Sequence, residues 1–480
     1  MRSKRRNLSL LMVLVLLSVS FSRGPGLFNA GYTTAASSLV KAEWTVMIYM
    51  NADNNLDPFA LLDFEEMAAV KYNSRVNVVL QLDRRRVPKG IKETDKEWGE
   101  TRRFLMRQNL KPTRSDSLQS FSEESNMGAP ETLASFVSWA KKDFPAQRYM
   151  LVIWSHGDGW RRPFTEETHF ENPRTAATAY QNTVTKAEEL LKKGELSDAK
   201  LASLNLLLTS LEPQVRTISE DETNHSDRLY VREIQDSLEA VFGTRGGLDV
   251  IGFDACLMQM IETGYAMRNV AGVMVGSEEL EPSEGWRYDG WLKSLVNNPD
   301  MDASAIARTM VEAYQDTYEV TDPTTTLSAI SLSDGGLDRL STAVSLLAKE
   351  LIINLDTELP AIKEARSNCY VFAPERRYHG IDLHRFCSQL DRPGISTRLR
   401  IRARDVMTLI DSLVIKNYAG KKRQDKFGGR GLAIYFPANN EVYQLDPYRH
   451  AYTDTNEIHV VLFVREQLWD NFLQAYFKRV

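Results

Sequence analysis

Apolar runs of strand length recur along this chain, separated by amphipathic stretches of helical length. The runs fall at residues 44–50 (WTVMIYM), 76–82 (VNVVLQL), 149–154 (YMLVIW), 248–253 (LDVIGF), 270–276, 326–332 and 431–436. Short apolar runs bounded by turn residues predict strands covered on both faces. The intervening stretches predict helices at 57–70, 129–143, 232–242, 257–268, 303–318 and 336–355, with Pro130 at a first-turn position where proline is favoured. Residues 103–106 suggest a short edge strand, between loops at 83–100 and 111–128. Strands alternating with helices predict an α/β fold, a mostly parallel central sheet with helices on both faces.

One stretch breaks the alternation. Residues 160–228 are polar, rich in Ala, Leu, Lys and Glu, and carry no strand signal. They suggest helices at 186–193, with Gly194 placed to stop the first, and at 199–211. The stretch is taken as an insertion. The N-terminus differs again: Arg2, Lys4, Arg5 and Arg6 precede an apolar run at 8–21. That is a charged region and an apolar core of signal-peptide type, shorter than the about 20 residues of a membrane span. Ala30, Ala35 and Ala36 offer cleavage positions, so residues 1–36 are expected to be removed on export, to the periplasm or beyond the cell. No later segment is long and apolar enough to be a span.

Two strand tips carry the chemistry. The run at 149–154 ends in Ser155-His156-Gly157, and the run at 248–253 ends in Asp254-Ala255-Cys256. In a parallel sheet the carboxyl ends of strands converge on one crevice, where ligands bind. An imidazole and a thiol at neighbouring tips form a nucleophile with its base. Gly157 has no Cβ, so its N–H can approach a substrate and serve as an oxyanion donor, with the N–H of Cys256 as the second. A helix opening at Cys256 would lower the thiol pKa. Asp254 would hinder a thiolate if it acted alone, so it is assigned to hold a cationic substrate side chain; a helix N-cap at the same position is the structural alternative.

Composition narrows the partners. The net charge of −5 implies no dominant basic face and argues against nucleic acid. Three cysteines in an exported chain of 480 residues make no disulfide scaffold; Cys369 and Cys387 could pair, leaving Cys256 free. The remaining histidines (169, 225, 379, 384, 450 and 459) have no metal-ligand spacing.

The segments WTVMIYMNADNNLD (44–57), NMGAPETLASFVSWAKKDFPAQRYMLVIWSHGDGW (126–160), LDVIGFDACLMQMIETGYAMRN (248–269) and GSEELEPSEGWRYDGWL (276–292) resemble the clostripain family of cysteine endopeptidases. That family belongs to the caspase-like clan, with gingipains and legumains. IDLHRF (381–386) and GLAIYFP (431–437) are weaker echoes. The resemblance implies a caspase-like three-layer α/β/α sandwich and a Cys256–His156 dyad. It implies cleavage after Arg or Lys, with Asp254 at the floor of the specificity pocket. Ser277, Glu281, Glu284 and Trp286 would line the pocket wall. Some relatives use calcium, which the resemblance leaves open as a cofactor; the chemistry itself requires none. Zymogens of the family are cut between the His and Cys segments, here within the insertion, where Lys186, Lys192, Lys193, Lys200 and Arg216 are candidate sites.

The expected organisation is a signal peptide (1–36), a first core part with His156 (42–159), the insertion or activation segment (160–228), a second core part with Cys256 (229–345) and a C-terminal α/β region packed on the core (346–480). The expected protein is an exported monomeric endopeptidase acting on proteins or peptides with Arg or Lys before the scissile bond. The competing reading, motivated by the long insertion, is a catalytically silent caspase-like binding protein at the surface or in the periplasm.

Overall fold

The computed structural model describes residues 41–87, 92–121, 125–161, 218–224, 227–244, 246–374, 378–424, 428–446, 448–452 and 461–480. The expected signal peptide, the two helices expected inside the insertion and the candidate activation sites lie outside these residues. The strands are β1 (Ala42–Ala52), β2 (Val76–Arg84), β3 (Thr101–Leu105), β4 (Gln119–Ser120), β5 (Ala146–Trp154), β6 (Ile218–Asp221), β7 (Asp227–Leu229), β8 (Leu248–Asp254), β9 (Ala271–Gly276), β10 (Thr326–Ser331), β11 (Gly380–Asp382), β12 (Val414–Ala419) and β13 (Ala433–Tyr435).

Nine of them form one sheet in the order β12-β10-β9-β8-β5-β1-β2-β3-β4. The five central strands pair in parallel: β2 with β1, β1 with β5, β5 with β8, β8 with β9. Antiparallel strands close both flanks. The chain leaves β1 toward β2 on one side and later returns to its other side as β5. This reversal between β1 and β5 is a switch point, where the loops at the carboxyl ends part and open a crevice.

Side chains alternate between the faces with the period of two that a strand dictates. Met47, Tyr49, Leu151, Ile153, Ile251 and Phe253 enter one core, under helices that include Pro130–Asp143, Val231–Phe242 and Gly336–Ile353. Val46, Ile48, Met50, Met150, Val152 and Val250 enter the other, under Asp57–Ala69, Tyr288–Asn297 and Ala303–Thr321. These two cores make the three-layer α/β/α arrangement expected from the alternation.

Three expectations are corrected. Residues 257–260 are not helical: the helix starts at Ile261 and ends at Met267. Leu257 has a φ of +65°, and the N–H groups of Leu257 and Gln259 donate to Glu279 O and Ser277 O rather than along a helix. The end of the supposed strand-free stretch carries the β6–β7 hairpin. Residues 431–436 supply only the short β13, which pairs antiparallel with β11 in a separate two-stranded sheet. The edge strand β12 follows a long helix without a turn and is mostly half-buried, so it lacks the apolar signature that betrays central strands.

Candidate active site

Three loops meet at the switch point, after β1, β5 and β8. The register pairs Trp154 with Asp254, so the chain positions two residues beyond each, His156 and Cys256, leave the sheet side by side. The Ser155 N–H still donates to Asp254 O at 3.3 Å. Gly157 lies directly on the Cys256 backbone: a Cβ built there would sit 2.2 Å from Cys256 O and 2.8 Å from Cys256 N. Only glycine admits that approach, as its sequence position between a strand end and a turn suggested.

The imidazole is held from the third loop. His156 Nε2 lies 2.7 Å from Asn55 Oδ1. An amide oxygen accepts only, so this contact places the ring proton on Nε2 and leaves Nδ1 as the basic nitrogen. The loop itself is internally bonded: Asn54 Oδ1 accepts the Leu56 N–H at 2.9 Å, and Asn54 Nδ2 reaches the Asn51 carbonyl at 3.2 Å. Asn55 was not foreseen from the sequence; the run NADNNLD looked only like a turn.

Cys256 is half-buried. Because the following helix starts only at Ile261, the expected helix N-terminus at the thiol is absent, and so is the N-cap role considered for Asp254. Glu281 takes that place: its N–H donates to Cys256 Sγ at 3.3 Å, and Sγ lies 3.8 Å from the Glu281 carbonyl. Cys369 and Cys387 are buried free thiols with no disulfide between them.

Asp254 closes a buried polar chamber on the other side of the thiol. Its Oδ2 accepts from Tyr288 Oη at 2.8 Å and from the Trp286 N–H at 3.3 Å. Burial pushes its pKa up to about 6 despite those donors. The Glu281 carboxyl lies against that of Asp254; burial first, then the Asp254 charge, hold it well above the usual carboxylate range. Both Glu281 carboxyl oxygens are buried and accept no well-formed hydrogen bond among the described residues; the Trp286 indole N–H beside them is likewise without one. Asp63, also unforeseen, adds a third carboxyl: it accepts from Trp154 Nε1 at 2.7 Å and is raised by burial and by Asp254. Two glycines make the chamber fit. Gly252 leaves room for the Trp286 ring, which a Cβ would meet at 2.9 Å, and Gly285 turns at φ +60° with Asp254 3.0 Å from its missing Cβ.

The wall residues divide. Glu281 and Trp286 face Asp254. Glu284 is exposed at the rim, and its charge reaches Asp63 and Tyr318. Ser277 is fully buried and bonded to Thr326 and to the Glu279 N–H, so its hydroxyl braces the loop base.

A second carboxylate group lies beyond the Asn55 loop. Oxygens of Asp53, Asp83 and Asp221 fall within 4.8 Å of one another, and all three residues are buried. Hard oxygen donors of this kind suit calcium. Each also accepts a hydrogen bond from the fold: Thr223 N–H on Asp53, Thr101 Oγ1 on Asp83, Met127 and Asn224 N–H on Asp221.

Known proteins resemble this chain in sequence and fold. A sequence model of the clostripain family matches residues 48–204 and 205–476. Clostripain of Hathewaya histolytica is 23% identical over 500 aligned positions, covering 92% of this chain and 86% of the relative. Among solved structures, a secreted C11 cysteine protease from Bacteroides thetaiotaomicron, bound to an irreversible peptide inhibitor, superposes with a TM-score of 0.55 at 19% identity, covering 92% of this chain and all of that one. An inactive zymogen C11 protease from Parabacteroides distasonis gives 0.52 at 15% identity, covering 90% of this chain and 98% of that one. Among the described residues no helix is long and apolar enough to cross a membrane. With the family matched over most of its length and the fold shared with those proteases, the chain belongs to the clostripain family and is a cysteine endopeptidase.

Proposed function

We propose that this endopeptidase cleaves after Arg or Lys through a Cys256–His156 dyad. Cys256 Sγ attacks the scissile carbonyl carbon, and the carbonyl oxygen takes the negative charge. The Gly157 and Cys256 N–H groups, brought together by the glycine contact, stabilise that oxyanion. His156, held through Nε2 by Asn55, takes the Cys256 thiol proton on Nδ1 and passes it to the leaving amine. Water then attacks the thioester carbonyl, His156 takes its proton, and the acid product leaves with Cys256 regenerated. The observation that carries the specificity is the Asp254–Glu281–Asp63 chamber: buried carboxyls beside the thiol, with Glu281 oxygens that accept no well-formed hydrogen bond among the described residues. A guanidinium or ammonium group supplies the missing donors and charge.

Hydrolysis of Arg- and Lys-aminomethylcoumarin peptides tests the reading. We expect turnover of these and not of uncharged analogues, with Cys256→Ala inactive; turnover surviving that substitution would remove the dyad. The residue pattern of the N-terminus supports export, and the position of the insertion between the His and Cys loops supports activation by a cut within it. A zymogen is described for the Parabacteroides relative. N-terminal sequencing of the secreted, active species is expected to find both new ends, one near residue 37 and one inside the insertion.

A further inference from the structure

Glu281 touches both the nucleophile and the specificity chamber. Its main chain brackets the thiol: the N–H donates to Sγ, and the carbonyl lies where the S–H can donate back. Its side chain enters the chamber and lies against Asp254. We propose that Glu281 couples pocket occupancy to the nucleophile, its side chain holding the empty chamber while its backbone N–H and carbonyl mask the Cys256 thiol, and a cationic side chain entering the chamber releasing both.

The chemistry of each end supports this. A thiol that donates to the Glu281 carbonyl keeps its proton, and the Glu281 N–H ties up a sulfur lone pair that attack needs, whereas the free thiolate is the reactive form. The Glu281 N–H and carbonyl, from the two peptide groups joined at its Cα, both lie within reach of Sγ and occupy space a substrate carbonyl must enter. In the chamber, two carboxyls in contact share a proton and hold each other in place when no cation is present. An arriving guanidinium favours both as carboxylates and supplies its own donors, so the Glu281–Asp254 contact loses its hold. Both contacts belong to one residue, so a carboxyl pinned against Asp254 favours the backbone arrangement that brackets Sγ, and Pro282, which follows directly, narrows the alternatives to extended conformations. The ligand therefore favours the released state by its differential contact with the two carboxyls, which is what a population shift requires. The result is a peptidase whose thiol is quiet until a basic side chain arrives.

This inference rests on the basic specificity proposed above, and the experiment separates the two. The rate of Cys256 alkylation by iodoacetamide is followed by peptide mass spectrometry, with and without saturating benzamidine, an amidinium that mimics guanidinium, and with neutral benzamide as control. Cys369 and Cys387 are buried and serve as internal references. We expect benzamidine, and not benzamide, to raise the Cys256 rate about tenfold, the scale of one charge-assisted hydrogen bond. In Glu281→Gln, which keeps a donor toward Asp254 but lacks the charge, the rate should no longer respond. Benzamidine that inhibits Arg-peptide cleavage competitively, yet leaves alkylation of the wild-type protein unchanged or slower, overturns the coupling and leaves the specificity standing. Benzamidine that neither inhibits nor alters alkylation overturns both.

Discussion

Two buried carboxylate groups flank the His156 loop, and they differ in who satisfies them. Asp53, Asp83 and Asp221 accept from Thr223, Thr101, Met127 and Asn224, all groups of the fold itself. They tie the end of the insertion, at β6, to the ends of β1 and β2. Asp63, Asp254 and Glu281 are satisfied only in part: Asp254 has Tyr288 and Trp286, Asp63 has Trp154, and the Glu281 oxygens have no well-formed donor among the described residues. Burial raises pKa values in both groups, so the perturbation alone does not separate a knot from a receptor. Glu281 does: Asp53, Asp83 and Asp221 each accept at least one hydrogen bond from the fold, and among the described residues neither Glu281 carboxyl oxygen accepts a well-formed one. A cluster whose donors come from its own chain is architecture, whereas one that lacks them is built for something that brings them.

Exchanging one charge in each group gives the largest expected contrast. Asp254→Asn should lower kcat/KM on Arg substrates by about 10- to 150-fold, the loss of a charge-assisted contact of about 1.5–3 kcal/mol, and leave the urea midpoint close to that of the wild type. Asp221→Asn should do the reverse. Its new amide would face the N–H groups of Met127 and Asn224, which should cost about 1–3 kcal/mol of stability while KM on Arg substrates holds. Equal kinetic losses in the two variants would abolish the distinction.

A smaller effect follows from proton competition in the chamber. The substrate cation binds carboxylates, and Asp254 is pushed up to about 6 by burial. Below that pH, kcat/KM on Arg substrates should fall, approaching about tenfold per pH unit. Imidazoles as a class titrate in this range, so the comparison with Asp254→Asn assigns the limb: a profile unchanged in that variant removes it from Asp254. The knot reaches catalysis only indirectly, through the loop that carries both Asp53 and Asn55. Asn55→Ala should therefore lower kcat by about 2- to 10-fold, the worth of one neutral hydrogen bond, with little change in KM.

What the sequence made legible was short in range. His156-Gly157 and Asp254-Ala255-Cys256 stand out because each ends an apolar run, and neighbouring parallel strands then bring them together without further information. Asn55 and Asp63 are opaque because their partners, His156 and Trp154, lie 101 and 91 residues further along the chain: Asn55 resembles any turn residue, and Asp63 sits in a helix whose buried face is visible only once Trp154 is placed over it. The stretch after Cys256 misled for the opposite reason. Its apolar spacing is helical, but the N–H groups of Leu257 and Gln259 find partners in the 277–279 loop, and those long-range bonds override local preference. The β6–β7 hairpin was hidden similarly, since its short polar strands have little apolar pattern of their own.

The smallest expected effect concerns stability, and its sign runs against habit. Asp221 and Glu262 are raised to about 7 and Asp254 to about 6, with burial the largest cause in each. A carboxyl with a raised folded pKa binds its proton more tightly in the folded chain than in the unfolded one. Its stabilising contribution is full below the unfolded value of about 4 and is lost as pH rises through the folded value. These groups should make the thermal midpoint higher at pH 5.5 than at pH 8. Asp221→Asn should remove the knot's share of that slope and Asp254→Asn the chamber's share. Benzamidine at pH 8 should recover stability only where the chamber is intact, because a cation offsets the repulsion that the lost proton had relieved. Recovery in Asp254→Asn equal to the wild type would place the cation elsewhere and leave the chamber, like the knot, as architecture.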